Sequence, residues 1–345
     1  MKRFAVPLVS GLLAGCMLCF PEEAAQAAAD ALRLWAFAIL PSLFPFLACM
    51  LFVSGSLTGQ KRSGTNRFLG LPKGMAAFWL MGLMSGSPGG ARLVQELSLK
   101  NEAGRKAIRR FALYSGTMSP MFFVATLGGW LHSTRLGWLM LLCHWLGAFL
   151  TGQLSRFFFA APPLPDNESV AGKKPPALAQ VMQSAAMAML TVCGLMVLGS
   201  VAAKMVQCAL PGLPDAVLTG LQAFMEVTAG CSRIMQLPLP SAYPALRPAL
   251  LCAAASFSGL SILLQNLAFL QEAGVTLRFL MAGALCRAVI SFGLIHLAYP
   301  LAGAPAVLTS VPAVQAASAA PAIAVIVWLL SLALPGILHR KKLFS

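Results

Sequence analysis

The chain has 345 residues, of which 58% are hydrophobic and only 10% are charged, and its 25 Lys and Arg against 10 Asp and Glu give a net charge of +15. Soluble domains carry about 25% charged residues, so this composition excludes a soluble globular protein and predicts lipid as the main solvent. The apolar runs exceed the roughly 10 residues of a barrel strand and do not alternate, which predicts membrane-spanning helices.

Eight spanning helices are predicted from apolar runs of about 20 residues. They lie near residues 4–20, 31–57, 111–131, 136–160, 182–209, 248–271, 276–300 and 320–338. The first follows Lys2 and Arg3 and precedes Ala25-Gln26-Ala27, which resembles a cleavage site, so it is either a signal peptide or a retained helix. We favour the retained helix because several more spans follow.

Two further apolar segments, 74–97 and 215–237, are interrupted and carry an arginine, Arg92 or Arg233. The first is broken by Ser85-Gly86-Ser87-Pro88-Gly89-Gly90, and the second is broken near Thr228-Ala229-Gly230. An interrupted apolar segment with a buried charge is a poor continuous span and is typical of a re-entrant hairpin or a broken helix.

The basic residues support this topology. When both interrupted segments are re-entrant, the basic clusters all fall on one side of the membrane; they lie in 61–67, 100–110, 173–174 and 339–342. Positively charged loops stay in the cytoplasm. The chain is therefore predicted to be a multi-pass protein of the cell membrane with both termini in the cytoplasm.

The chain is predicted to contain two inverted repeats. Each half has a span, a broken segment and two more spans, and the next Ser-rich kink begins 23 residues after each arginine, at 115 and 256. The halves enter the membrane from opposite sides, as in many secondary transporters. The predicted order is an N-terminal helix (1–27), repeat 1 (28–160), a Pro-rich cytoplasmic linker (161–177), repeat 2 (178–300) and a C-terminal helix with a basic tail (301–345).

Substrate-binding residues are predicted at the breaks and kinks, because glycine lets backbone approach a ligand and a restarting helix offers N–H groups to an anion. Repeat 1 contributes Ser85, Gly86, Ser87, Pro88, Gly89, Gly90, Arg92, Ser115, Thr117 and Ser119. Repeat 2 contributes Glu226, Thr228, Gly230, Ser232, Arg233, Ser256, Ser258, Gly259, Ser261 and Gln265. The alternatives are arginines that snorkel to the headgroups and small residues that only allow close helix packing.

The charged residues of the site suggest its ligands. Arg92 and Arg233 can each bind a carboxylate through two N–H groups, which predicts an anionic substrate at the midplane. Glu226 lies deeper in an apolar stretch than the other acids and has no acidic counterpart in repeat 1. Three roles are open for Glu226: it binds a coupling proton or cation, it contacts the substrate, or it neutralises Arg233. Asn266 extends the polar face of the second kink. Arg287 is a further candidate, of lower weight, for a cation of the site.

The sequence resembles the YlbJ (SpoVV) family of sporulation integral membrane proteins, within the nucleoside recognition, or Gate-domain, membrane proteins. The resemblance extends over roughly residues 28–300 and is carried by Leu34-Trp35, residues 39–46 (Ile-Leu-Pro-Ser-Leu-Phe-Pro-Phe), residues 82–92, Ser119-Pro120-Met121-Phe122, residues 226–230, residues 256–261 and Gln265. Arg92 stands where the family usually has Lys, and Cys231 replaces an expected polar residue. The resemblance implies a fold similar to the nucleoside-transporter superfamily and transport of dipicolinic acid, a pyridine dicarboxylate, across the outer forespore membrane.

The leading prediction is a transporter of a small organic anion such as dipicolinate, coupled to a proton or to sodium, with no cofactor; a homo-oligomer is compatible with the sequence. A transporter of nucleosides or other small metabolites is the first alternative, and it would favour uncharged polar side chains over cations. A membrane scaffold or signalling protein is the second. An enzyme is not expected because the sequence has no nucleophile–base pair, metal-ligand cluster or P-loop, and nucleic acid is not an expected partner because no basic and aromatic stripe is present.

Overall fold

The computed structural model describes residues 2–57, 65–66, 69, 71–87, 89–91, 102–158 and 177–302, and these are predominantly helical. The first part comprises α1 (Lys2–Cys19), α2 (Pro21–Leu34), α3 (Leu40–Leu57), α4 (Lys73–Ser85), α5 (Glu102–Ser115), α6 (Gly128–Trp130) and α7 (Thr134–Phe158). Turns of π-helix at Trp35–Ile39 and Phe122–Leu127 precede α3 and α6. β1 (Thr65–Asn66) and β2 (Leu71–Pro72) form a short antiparallel pair with Thr65 opposite Pro72.

The second part begins after the predicted linker. It comprises α8 (Leu178–Ala209), α9 (Asp215–Met225), α10 (Val227–Gln236), α11 (Leu246–Phe257), α12 (Gly259–Leu270) and α13 (Leu277–Ala298), with 3₁₀ turns at Gln271–Ala273 and Tyr299–Ala302. The predicted span 320–338 and nearly all of the linker 161–177 lie outside the described residues. The domain boundaries therefore stay predictions.

Three stretches of the described chain are long and apolar enough to cross a membrane: Leu178–Ala209, Leu246–Ala273 and Leu277–Ala302. Their mean hydropathies are 2.1, 1.6 and 1.8. A fourth results when Pro7–Cys19 and Pro21–Phe37, which meet at a bend of 106°, count as one span. Even a 26-residue helix is about 39 Å long, enough for a hydrocarbon core of about 30 Å. The protein is a multi-pass membrane protein.

The two parts of the chain share one hydrophobic core. α11 packs on α13, and both pack on α7 from the first part, while α2 and α3 pack on α8. Phe111, Leu141 and Leu251 are completely buried in this core. The thiol of Cys252 on α11 donates to the carbonyl of Met140 on α7 at 3.5 Å. Residues before and after the linker therefore form a single packed body.

One predicted loop is helical. Residues 21–30 were expected to connect two spans outside the membrane, but they form most of α2. Pro21 occupies the start of the helix and Glu22–Glu23 its first turn, where a fixed φ and negative charge both favour helix formation. Ala24 and Ala31 are buried on one side of α2, whose other positions are more polar, so the segment lacks the continuous apolar run by which spans are recognised.

Two predicted spans are broken in the middle. The predicted span 111–131 begins earlier, at Glu102, and its helix is interrupted at 116–119. The predicted span 248–271 divides at Ser258 into α11 and α12. Both interruptions lie at the Ser-rich kinks predicted from the sequence.

Candidate functional site

In the first part of the chain, the predicted break lies directly after α4. α4 ends at Ser85, and helix resumes at residues 89–91. Gly86 adopts a φ of +66°, a conformation that residues with a side chain rarely adopt. The N–H of Ser87 donates to the carbonyl of Thr117 at 2.7 Å. The break is thereby attached to the first Ser-rich kink.

The second break lies at Glu226, between α9 and α10. Glu226 is extended, with φ −142° and ψ 119°, and its side chain is 2% exposed. Its Oε1 accepts from the N–H of Thr228 at 2.9 Å, and its Oε2 accepts from the N–H of Ala229 at 2.6 Å. The break was predicted at 228–230, where the glycine lies. It is earlier because the Glu226 carboxylate caps α10, occupying the helix N-terminus that the sequence suggested for an anionic ligand.

Gly230 lies inside α10, where it allows close packing of the hairpin. A Cβ on Gly230 would overlap the backbone and side chain of Ala223 on α9. The glycine is therefore required by the approach of two helices, and the chain does not break at this position.

We expect Gly230→Ala to destabilise the hairpin by about 1–3 kcal/mol, as overpacking does. Gly220→Ala on α9 is the matched control, because a Cβ there meets nothing within 4 Å and alanine favours helix by about 0.5–1 kcal/mol. Thermal unfolding of both variants in detergent checks this. Equal midpoints for the two variants would contradict the close packing.

The second Ser-rich kink contacts the second break. Ser258 and Gly259 both have positive φ, 74° and 73°. The hydroxyl of Ser258 donates to the carbonyl of Ala255 at 3.2 Å, and that of Ser261 donates to the carbonyl of Met225 at 2.8 Å. The carbonyl at the end of α9 is thus satisfied from the kink.

The breaks and kinks of both parts surround one small cavity of about 30 Å³, which has room for a guest the size of a water molecule. Its polar lining consists of Ser87, Ser119, Glu226, Thr228, Ser261 and Gln265. Asn266 donates from Nδ2 to Ser87 Oγ at 3.0 Å and so joins the two parts of the chain beside the cavity. Among the described lining residues there is one acid and no cation.

A larger cavity of about 650 Å³ lies between α2, α8, α9 and α10. This volume is within the range of small-molecule sites. Its charged lining residues are Arg33, Lys204 and Arg233 against Asp30, and its uncharged polar ones are Gln26, Ser200, Gln207, Gln222 and Ser232. The cavity has an excess of positive charge and suits an organic anion.

Arg233 lines this larger cavity and not the small one. Its Nη2 lies 3.6 Å from Oδ1 of Asp215, whose side chain is 81% exposed. An exposed ion pair of this kind contributes little, so Arg233 remains available to an anion. Glu226, which was one expected partner of Arg233, uses both oxygens to cap α10 instead.

α10 separates the two cavities. Glu226 and Thr228 line the small cavity, whereas Ala229, Ser232 and Arg233 line the larger one. α8 also lines both, with Met196 and Ser200 one turn apart. The cavities therefore follow one another along the same helices.

His144 on α7 connects the two kinks, and no role was predicted for it. Its Nε2 accepts from the N–H of Met118 at 3.0 Å, so Nδ1 carries the proton and donates to Ser256 Oγ at 2.8 Å. His144 and Ser256 are completely buried. A histidine in the middle of an apolar span was the available signal, since polar residues at that depth are usually functional or paired.

Arg287 also lies at the junction of the two kinks, where it contacts Ser256 of the second kink and Gly116 of the first. It is 2% exposed, its Nε donates to the carbonyl of Ser256 at 2.8 Å, and its guanidinium lies beside Gly116. Within the described chain, no carboxylate lies within 4 Å of it. α5 ends at Ser115 and α11 at Phe257, so the cation lies between two helix C-termini, whose partial negative charge stabilises it.

No family model matches the sequence, and no solved structure matches it. The sporulation integral membrane protein YlbJ of Bacillus subtilis (strain 168) is 29% identical to it over 159 residues. The resemblance to the YlbJ family is confirmed. The match covers 42% of this chain and 37% of YlbJ, so the chain spans little more than a third of the relative's length.

The segments that carry the resemblance to the YlbJ family form the small cavity. The lining residues that belong to them are Ile39, Leu43, Ser87, Ser119, Phe122, Glu226, Thr228, Ser261 and Gln265. The cations of the larger cavity, Arg33, Lys204 and Arg233, lie outside them. Leu34 and Ala229, which belong to the same segments, line the larger cavity, so these segments contribute to both cavities.

The remaining predicted site residues shape the breaks and line neither cavity. They are Ser85, Gly86, Gly89, Gly90, Ser115, Thr117, Gly230, Ser256, Ser258 and Gly259. Pro88 and Arg92 lie outside the described residues. Ser232 and Arg233 line the larger cavity, on the other side of α10 from the predicted site residues that line the small cavity.

Proposed function

We propose that this protein transports a small organic anion across the membrane and that the anion binds first in the larger cavity. The observation that carries the proposal is the lining of this cavity, which offers three cations, Arg33, Lys204 and Arg233, against Asp30. Lys204 lies within the apolar helix α8, where a cation is costly unless it serves a partner or a substrate. No catalytic activity is part of the proposal.

The architecture proposed is an inverted repeat of about eight spans and two broken segments. An offset of 141 residues pairs Ser87 with Thr228, and it pairs the kink 115–119 with residues 256–260. Ser87 and Thr228 line the same small cavity, together with residues from both kinks. Binding between corresponding breaks of two repeats is the usual arrangement in secondary transporters, which supports the proposal.

The substrate class proposed is a small dicarboxylate such as dipicolinate, moved during spore formation. The similarity to YlbJ, a sporulation integral membrane protein, supports the link to sporulation. Two carboxylates on one ring require two separated cations, and guanidinium groups bind carboxylates through paired N–H donors. Arg33 on α2 and Arg233 on α10 both line the cavity, which suits such a ligand.

Uptake of labelled dipicolinate into proteoliposomes, with and without a proton or sodium gradient, tests the function. We expect saturable uptake by the unaltered protein and a KM at least about tenfold higher for Arg233→Gln, because a hydrogen bond to a charged group is worth about 1.5–3 kcal/mol. Arg135→Gln is the control, since this exposed cation lines neither cavity.

Two results would overturn the proposal. One is the absence of uptake by the unaltered protein, and the other is an unchanged KM for both Arg233→Gln and Lys204→Gln. The second result together with intact cellular function of both variants would favour a scaffold or signalling role.

A transporter of neutral metabolites such as nucleosides is the second candidate. It is favoured by the uncharged polar residues that line the larger cavity, namely Gln26, Ser200, Gln207, Gln222 and Ser232. The same vesicles distinguish the two candidates. If the vesicles take up labelled uridine and dipicolinate does not inhibit this uptake, the protein is a nucleoside transporter.

A further inference from the structure

The carboxyl group of Glu226 is buried and lines the small cavity. Each of its oxygens accepts one backbone N–H, as suits an ionised carboxylate, and further lone pairs remain on both oxygens. In the part of the chain that the structure describes, no cation lies within 4 Å of it. A lone charge at this depth is costly unless a partner compensates it.

The small cavity also offers side-chain oxygens with free lone pairs from Gln265, Ser87 and Ser119. Gln265 is 3% exposed, and its Oε1 has no hydrogen-bond partner among the described residues. Ser87 and Ser119 use their hydroxyl oxygens to accept from Asn266 Nδ2 and from the N–H of Met121. Oxygen ligands of this kind are preferred by hard metal cations.

The size and charge of the cavity limit its occupant. About 30 Å³ admits a species the size of a water molecule and excludes an aromatic dicarboxylate. One carboxylate is neutralised by one monovalent cation, whereas a divalent cation would leave an excess positive charge buried in the membrane. A bare water would leave the charge of Glu226 uncompensated.

We propose that the small cavity is a sodium site, in which Na⁺ is bound by the Glu226 carboxylate, Gln265 Oε1 and the neighbouring hydroxyls. The role of Na⁺ as the coupling ion rests on the transport function proposed above. The binding of Na⁺ to the small cavity does not depend on that function. Because Glu226 also caps α10, the cation binds at the start of the helix whose other end carries Arg233. Sodium binding therefore stabilises the wall that the two cavities share.

The test is thermal unfolding of the purified full chain in detergent, in NaCl against choline chloride at constant ionic strength and pH. We expect a saturable rise of the unfolding midpoint with Na⁺, because a ligand that binds only the folded state stabilises it. Glu226→Gln should abolish the rise. Gln265→Leu, which leaves the helix cap intact, should raise the apparent Kd for Na⁺ at least tenfold.

Glu272→Gln is the matched control, because Glu272 is exposed in the 3₁₀ turn and should leave the sodium effect unchanged. The absence of a sodium-specific rise in the unaltered protein would overturn the site, as would an unchanged Kd in Gln265→Leu. A rise produced by lowering the pH, and not by Na⁺, would identify a proton as the occupant and also overturn it. A sodium effect without dipicolinate uptake would keep the site and reject the transport function.

Discussion

Replacing Gly86 by alanine is expected to destabilise the protein by about 2–5 kcal/mol, roughly a third of the 5–15 kcal/mol by which domains are typically stable. Gly86 has a φ of +66°, which costs a residue with a side chain about 1–2 kcal/mol. A Cβ there would also overlap the backbone of Met118 and Ser119 in the first kink, and such overpacking adds about 1–3 kcal/mol. Denaturation in detergent, followed by circular dichroism, measures the change.

Gly293→Ala is the control for this substitution. Gly293 lies in α13, and a Cβ at this position meets nothing within 4 Å. Its replacement should be neutral or slightly stabilising. Unaltered stability in Gly86→Ala would mean that the first break does not pack on the kink.

The second large effect is expected for His144→Leu, which should destabilise the protein by about 2–5 kcal/mol. The substitution leaves the N–H of Met118 and the hydroxyl of Ser256 buried without their partner, and each such group costs about 1–3 kcal/mol. His144→Gln should recover part of the loss, because its amide oxygen can accept from Met118 as Nε2 does. His296→Leu is the control, since that side chain is exposed.

A double-mutant cycle isolates the bond between the two kinks. Ser256→Ala removes the hydroxyl that accepts from His144 but keeps the carbonyl that binds Arg287. If the bond stabilises the fold, the effects of His144→Leu and Ser256→Ala should be non-additive by about 0.5–3 kcal/mol. Additive effects would show that the two residues act separately.

The helices and their breaks were largely predictable because their signals are local. Long apolar runs indicate spans, and clusters of Gly, Ser and Pro indicate interruptions. Both kinks lie where the Ser-rich motifs predicted them, at 116–119 and at Ser258. α2 was missed because one face carries small buried residues and the other polar ones, so its segment has no long apolar run.

The second break was predicted near residues 228–230 but lies at Glu226. The difference arises because a glycine either provides a turn or allows two helices to approach closely. Gly230 indicated a break in the sequence, but in the structure it allows contact with Ala223. Whether a glycine provides a turn or a close approach depends on a neighbour that the sequence does not identify. Glu226 was singled out as a buried charge, but its role as the cap of α10 depends on where the helix begins.

The junction of His144 and Arg287 could not be predicted from the sequence. His144 is 26 residues from Met118 and 112 residues from Ser256, and Arg287 is 31 residues from Ser256. Pairs so far apart in sequence meet only through the packing of α7, α11 and α13. Single-sequence patterns describe the surroundings of one helix and carry no information on which helices become neighbours.

The charges on the α9–α10 hairpin determine how it responds to the membrane potential. It carries Asp215, Glu226 and Arg233, and because Asp215 and Arg233 form an ion pair, an ionised Glu226 would give the hairpin a net charge of −1. Carrying one charge across 100 mV changes the free energy by about 2.3 kcal/mol. In the proposed sodium cycle, a hairpin that moves with Glu226 ionised and the cavity empty would be driven by voltage, whereas one with sodium bound at Glu226 would be electrically neutral and would move without electrical work.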